Sequence, residues 1–375
     1  MGRGVRGEGR GHRRSVVAAL IFLAVAGHAG SSFAATGSGL PEACGNGACD
    51  AGETKQSCPQ DCRPLLRLLR QRREREERPR QPAGRHGAEA LGPGDAQESL
   101  TVQGRARTYL LHAPPSYDGA GAMPLVLVFH GGYGTGAIAS RMSDLSGYAD
   151  REGFLAVYPD GIERSWNDGR GTTAADQQGI DDVGFVAALI DHLARRFVID
   201  RSRVYAAGMS NGAIFAFRLG CELSDRLTAI AAVSGAMAEA IVPSCAPSAP
   251  LSVLVLKGTA DPLTPYEGGE TRKGQGGRVL SAPETAEHWA KHNGCRGPAT
   301  TEVLPPAVDD GTTVERTTHT GCLDGSGVIL YTVKGMGHAW PPAEPHVPRV
   351  SGRTSRNIDA TSVIWAFFKS HSKTL

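Results

Sequence analysis

Apolar and polar positions alternate in blocks over the C-terminal three-quarters of the chain. Segments 123–132 (MPLVLVFHGG), 153–161 (GFLAVYPDG), 202–210 (SRVYAAGMS), 227–235 (LTAIAAVSG) and 251–259 (LSVLVLKGT) are nearly unbroken apolar runs that end in small or polar residues. A strand with one wet face would alternate, so runs like these fit strands buried on both faces of a mostly parallel sheet. In segments 183–197, 211–223, 283–294 and 357–371 the apolar residues recur at helical spacing. Segment 100–114 (LTVQGRARTYLLHAP) alternates like an opening hairpin. Strands alternating with helices predict an α/β domain over residues 99–375, with helices on both faces of the sheet and right-handed crossovers. The chain has no internal repeat.

The first 98 residues have a different character. Arg3, Arg6, Arg10, Arg13 and Arg14 precede an apolar run over 16–26, and small residues end at Ser32-Phe33-Ala34. That layout predicts a secretory signal peptide over 1–34, because the run is shorter than the roughly 20 residues needed to span a bilayer. The mature protein is then expected to be secreted, or periplasmic, where disulfides persist. Residues 41–62 (PEACGNGACDAGETKQSCPQDC) set Cys44, Cys49, Cys58 and Cys62 among Gly, Asp and Pro. With so little to bury, this predicted Cys-rich module needs cross-links or a metal to hold its shape. Two disulfides are the simpler reading. Zinc would favour paired C-x-x-C and His, which are missing, whereas Asn46, Asp50, Glu53 and Asp61 offer oxygens suited to calcium. The string resembles short Cys-rich modules found at the ends of secreted bacterial proteins, which implies no activity. Residues 63–98 carry nine Arg and six acids, with Pro79, Pro82 and Pro93, and predict a charged linker.

Charge excludes one class of partner. The formal charge of +2 becomes −2 once residues 1–34 are removed, leaving no broad basic face for nucleic acid. At 40% hydrophobic residues, the remainder can bury a sizeable core.

The candidate chemistry lies at the ends of the predicted strands. Gly208-Met209-Ser210-Asn211-Gly212 is a G-x-S-x-G string between a strand and a helix. Its small residues allow a sharp bend that leaves a serine hydroxyl exposed at a helix N-terminus. A serine nucleophile needs a base, a group to orient that base, and donors for the oxyanion. Asp261 follows the apolar run 251–258, in a turn set by Gly258 and Pro262; His338 follows the run 328–334 in a Gly-flanked loop. Ser, Asp, His is the chain order expected of this architecture. Upstream, His130-Gly131-Gly132 ends an early strand, where glycine lets backbone N–H groups approach a developing oxyanion; Asn211 N–H would be the second donor. Asp181 and Asp182 open a predicted helix, where capping explains them about as well as a site role would.

Six motifs occur in one order: HGG at 130–132, YPDG with SWN over 158–167, DDVGF at 181–185, RVYAAGMSNG at 203–212, GTADPLTPY at 258–266 and GHAWPP at 337–342. Over residues 100–372 the domain resembles the secreted esterases grouped with polyhydroxybutyrate depolymerases and feruloyl esterases. The resemblance implies an α/β-hydrolase fold, a Ser210–Asp261–His338 triad, and a substrate cleft in which Trp166 and Asn167 take part. It implies a serine carboxylic-ester hydrolase acting on polyester or feruloyl-polysaccharide esters. Acetylxylan and generic short-chain esters are the alternatives within that class. A protease or amidase on the same triad, or a polymer-binding protein with a non-catalytic hydrolase domain, are the alternatives outside it. Acyl transfer by such a triad needs no metal or organic cofactor. The expected partner is an ester substrate, with polyester and plant cell-wall polysaccharide as its polymeric forms, and neither nucleic acid nor, after signal cleavage, a membrane.

Four further cysteines belong to the domain. Cys221 follows the nucleophile helix, Cys245 ends the next strand–loop unit, Cys295 ends a helix and Cys322 precedes the His-bearing strand. Of the three possible pairings, Cys221–Cys245 and Cys295–Cys322 are expected.

Overall fold

The computed structural model describes residues 94–272, 276–344 and 348–374. The predicted signal peptide, the Cys-rich module with its disulfide and calcium readings, and most of the predicted linker lie outside the described residues. Twelve strands are described: β1 (Gly94–Val102), β2 (Arg105–Ala113), β3 (Met123–Phe129), β4 (Leu155–Pro159), β5 (Ile199–Met209), β6 (Ala229–Val233), β7 (Ser252–Gly258), β8 (Gly269–Glu270), β9 (Arg278–Val279), β10 (Thr300–Leu304), β11 (Thr313–His319) and β12 (Val328–Lys334). Ten of them form one sheet in the order β1-β2-β4-β3-β5-β6-β7-β12-β11-β10, and β8 and β9 make a separate ribbon.

The centre of the sheet, from β4 to β12, is parallel throughout. Antiparallel strands flank it on both sides. The hairpin expected near residue 100 is β1–β2, turned at Gln103 and Gly104, whose φ values of 49° and 76° give the twist a two-residue hairpin needs. β1 starts at Gly94, so the last five residues of the segment assigned to the linker pair with β2. They are held there partly because Glu98 bonds to Arg196.

Unbroken apolar strands follow from burial on two sides. Leu125, Leu127 and Phe129 of β3 pack in one cluster with Phe185, Phe215 and Trp289; Val126 and Val128 pack in the other with Leu145, Ile364 and Phe368. The first face is covered by α3 (Asp182–Ala194), α4 (Asn211–Glu222) and α5 (Ala282–His292). The second is covered by α1 (Gly136–Ser143), α2 (Leu145–Glu152) and α6 (Ala360–Lys369).

This arrangement fixes where a ligand can sit. The chain leaves β3 through α1 and α2 on one face to reach β4, and leaves β5 through α4 on the other face to reach β6. Neighbouring strands whose connections depart to opposite faces leave a crevice beyond their C-terminal ends. His130-Gly131-Gly132 follows β3, and Ser210 follows β5.

Candidate active site

Ser210 stands between β5 and α4 with φ 55° and ψ −119°, a conformation that L-residues rarely adopt. Two glycines make it possible by close approach. A Cβ on Gly208 would lie 2.2 Å from Gly212 O, and one on Gly212 would lie 2.3 Å from Phe129 O. The bend is tied to the next strand by Ser210 N–H donating to Val233 O at 2.9 Å. No side chain caps α4, so its first amides, Asn211 N–H among them, stay directed out of the helix beside the serine.

The Asn211 side chain has a different job. Its Oδ1 accepts from Trp166 N–H at 2.8 Å, and its Nδ2 donates to Trp166 O at 3.1 Å and to Asp168 Oδ2 at 2.6 Å. The carboxylate of Asp168 is buried against the Arg170 guanidinium. Arg170 in turn donates to Thr271 Oγ1 and Gly276 O. The start of α4 is thus locked to the 165–170 loop, and that loop to Thr271 and Gly276.

The HGG loop packs directly on Ser210. A Cβ on Gly131 would lie 3.3 Å from Ser210 Cβ and 4.0 Å from its Oγ. His130 is buried and fixes the loop from behind: Gly161 N–H donates to its Nε2, so Nδ1 carries the proton and donates to Gly131 O at 2.8 Å. Burial holds this imidazole below its ordinary pKa, which keeps it neutral. Gly134 N–H also donates to Gly131 O, and Tyr133 N–H donates to Arg164 O. In a trans peptide the N–H points opposite the C=O, so Gly132 N–H is turned away from these bonds.

Asp261 and His338 come together from two neighbouring strand ends, β7 and β12. His338 Nδ1 lies 2.9 Å from Asp261 Oδ2, with the two residues 5% and 7% exposed. Gly258 and Gly337 permit the contact: a Cβ on Gly258 would lie 2.3 Å from Met336 O, and one on Gly337 would lie 2.1 Å from Ser351 O. Ala260 N–H also donates to Met336 O. Ser234, which follows β6, is tied to the His338 loop, since its Oγ donates to Ala339 O at 2.9 Å. Its neighbour Gly235 sits where a Cβ would come 3.1 Å from Ser210 O.

Burial alone would raise the Asp261 carboxyl, but His338 and Lys257 beside it outweigh that and hold it well below the usual carboxylate range. Lys257 carries no sequence signal of its own, since a lysine ending a strand normally reaches solvent. Here it is completely buried.

Two site expectations change. Trp166, expected in the substrate cleft, is 0% exposed; its ring stacks on Phe215 at 5.2 Å and its Nε1 donates to His130 O. It supports the HGG loop from beneath and has no surface to offer a ligand. Asn167, expected beside it, spends its polar atoms on Asp182, Ile180 and Arg218. Of the two acids at the start of α3, Asp181 is the cap expected, bonding Gly184 N–H. Asp182 is instead a buried partner of Arg107 at 2.6 Å. Burial raises the Asp182 carboxyl, and Arg107 opposes that shift.

The disulfides are Cys221–Cys245 and Cys295–Cys322, as expected. Among the described residues, one group has metal-ligand spacing, Cys245 with His288 and His292, and its sulfur is already in a disulfide. None of the three belongs to the strand-end site.

Residues 107–263, which include Ser210 and Asp261, match the family model described as esterase PHB depolymerase. NocK of Nocardia uniformis subsp. tsuyamanensis, named as an esterase, is 33% identical over 272 residues, covering 69% of this chain and 78% of that protein. Feruloyl esterase B of Piromyces equi is 30% identical over 241 residues, covering 62% of this chain and 42% of that protein. The acetyl xylan esterase structure from Aspergillus awamori superposes with a TM-score of 0.50 at 14% identity, covering 73% of this chain and 99% of that one, which is a likeness of fold. The chain therefore belongs to the esterase PHB depolymerase family, as a carboxylic ester hydrolase on an α/β-hydrolase fold.

Proposed function

We propose that Ser210, His338 and Asp261 hydrolyse carboxylic esters by two-step acyl transfer. The observation that carries this reading is the direct His338–Asp261 contact at the ends of two adjacent strands, in the same sheet whose β5 ends in the sharp turn bearing Ser210. Asp261 Oδ2 accepts from His338 Nδ1–H, which leaves Nε2 as the proton acceptor. That nitrogen takes the proton of Ser210 as the serine oxygen attacks the ester carbonyl. Asp261 stabilises the imidazolium that results. The developing oxyanion is received by backbone N–H groups of the HGG loop, at Gly131 or Gly132, and of Asn211. His338 then returns the proton to the leaving alcohol, and water repeats the sequence to release the acid. Every part of this scheme is supplied by side chains and backbone amides, so the reading requires no cofactor.

The substrates proposed are esters carried by a polymer: feruloyl groups on polysaccharide, or hydroxyalkanoate polyester. The feruloyl esterase relative supports the first, and the family description supports the second. Secretion is proposed with them. Two disulfides in the described domain suit an oxidising compartment, and no described helix is long and apolar enough to cross a membrane.

The test is a rate comparison on methyl ferulate, a hydroxybutyrate oligomer and p-nitrophenyl acetate. Turnover of all or any is expected, and the first two rates assign the polymer. Folded protein that cleaves none of them would contradict the proposal.

A further inference from the structure

A fully buried ammonium stands against the carboxylate proposed to orient the catalytic base. Lys257, the penultimate residue of β7, is 0% exposed. Burying such a group is costly unless it is paired and hydrogen-bonded. Its Nζ donates to Asp261 Oδ2 and to Thr264 O, each at 2.5 Å. The same Oδ2 is the acceptor for His338 Nδ1 at 2.9 Å. The other carboxylate oxygen accepts from Leu263 N–H at 2.9 Å and Thr264 N–H at 3.0 Å. Asp261 is therefore held by four donors, and Lys257 shares one oxygen with the imidazole.

Two effects follow from that shared oxygen. The first is geometric, since Lys257 ties the Asp261 side chain to the turn ending at Thr264 and fixes where it meets His338. The second is electrostatic. An isolated carboxylate strongly favours the imidazolium, whereas an ammonium on the same oxygen disfavours it. Because both nitrogens touch Oδ2, they lie within about 5.4 Å of each other, in a site screened from water.

We propose that Lys257 is a positioning residue of the ester-hydrolysing site: it fixes Asp261 as a carboxylate, and its charge biases His338 toward the neutral, proton-accepting form. The inference rests on the triad described above and adds a fourth member to it. Asp261 is the charged group that bears on Lys257, and His338 and Lys257 are the two that bear on Asp261. On the flanking strand, Thr332 lies beside Lys257 and meets the Tyr266 phenol, which burial keeps neutral. Burial pushes the Lys257 ammonium below its ordinary value, and the Asp261 carboxylate opposes that shift.

The test is the pH profile of kcat/KM on p-nitrophenyl acetate for the wild type, Lys257→Met and Lys257→Gln, with Ser210→Ala alongside. Removing the cation lets His338 protonate more easily. The acid limb of the profile should therefore move to higher pH, by about one unit, in both Lys257 variants. Lys257→Gln keeps a donor, so it also guards against Lys257→Met failing to fold. A purely structural lysine would instead give lower rates with the acid limb unmoved and partial rescue by Gln, and that result would overturn the inference. Wild-type rates from Ser210→Ala would instead remove the triad itself, an outcome separable from the first.

Discussion

The backbone at Ser210 lets strain be separated from chemistry. With φ 55° and ψ −119°, the residue occupies a region that glycine enters freely and other L-residues enter at a cost of about 1–3 kcal/mol. Ser210→Ala removes the hydroxyl but keeps the Cβ, and so keeps the strain. Ser210→Gly removes both, and loses about 0.5–1 kcal/mol to the greater freedom of glycine in the unfolded chain. The difference, taken at the centre of these ranges, leaves Ser210→Gly more stable than Ser210→Ala by about 1 kcal/mol. For a domain of this size that is roughly 2 °C in Tm. Calorimetry on the two variants measures the gap directly, and ester hydrolysis assays should find both inactive. Equal melting temperatures, or a less stable glycine variant, would refute the claim that this turn stores strain.

Three other outcomes follow from the same geometry. Gly212→Ala should lose more than about 2 kcal/mol by denaturant unfolding, because its Cβ would meet the rigid backbone of Phe129 and His130. Arg107→Met and Asp182→Asn should each cost about 3–5 kcal/mol by leaving a buried charge unpaired, and the double variant should cost less than their sum. Asp261 has a carboxyl pKa lower when folded than when unfolded. Its stabilising effect should therefore be complete above about pH 4 and fade as the pH falls toward the folded value. Melting curves should show the gap between wild type and Asp261→Asn narrowing over that acid range.

The parts of this molecule that were legible in the sequence are those governed by local pattern. β3, β5, β6 and β7 declare themselves because both faces are buried, and their alternate residues divide between two separate clusters. The strand–turn–helix at Ser210 is legible because only glycine fits at 208 and 212. The β10–β11 hairpin escaped notice because it is an edge rich in Thr, with much of its surface wet and little hydrophobic signal. Long-range polar pairing was hidden as well. Asp182 looks like a second helix cap until Arg107, 75 residues earlier, is seen against it. Trp166 sits in a motif shared with the family, yet its full burial under the HGG loop depends on Phe215, far along the chain. Lys257 reads as a surface residue ending a strand, because its partners, Asp261 and Thr264, come together only in the turn that follows.

The central claim is that Ser210 is the residue that becomes acylated. It is tested most directly by inactivating the protein with a phosphonylating reagent and mapping the modified peptide by mass spectrometry. One adduct, on Ser210, is expected, with ester hydrolysis falling in proportion to labelling and no labelling of Ser210→Ala. Complete inactivation with the adduct on another residue, or full activity after Ser210 is modified, would contradict the account.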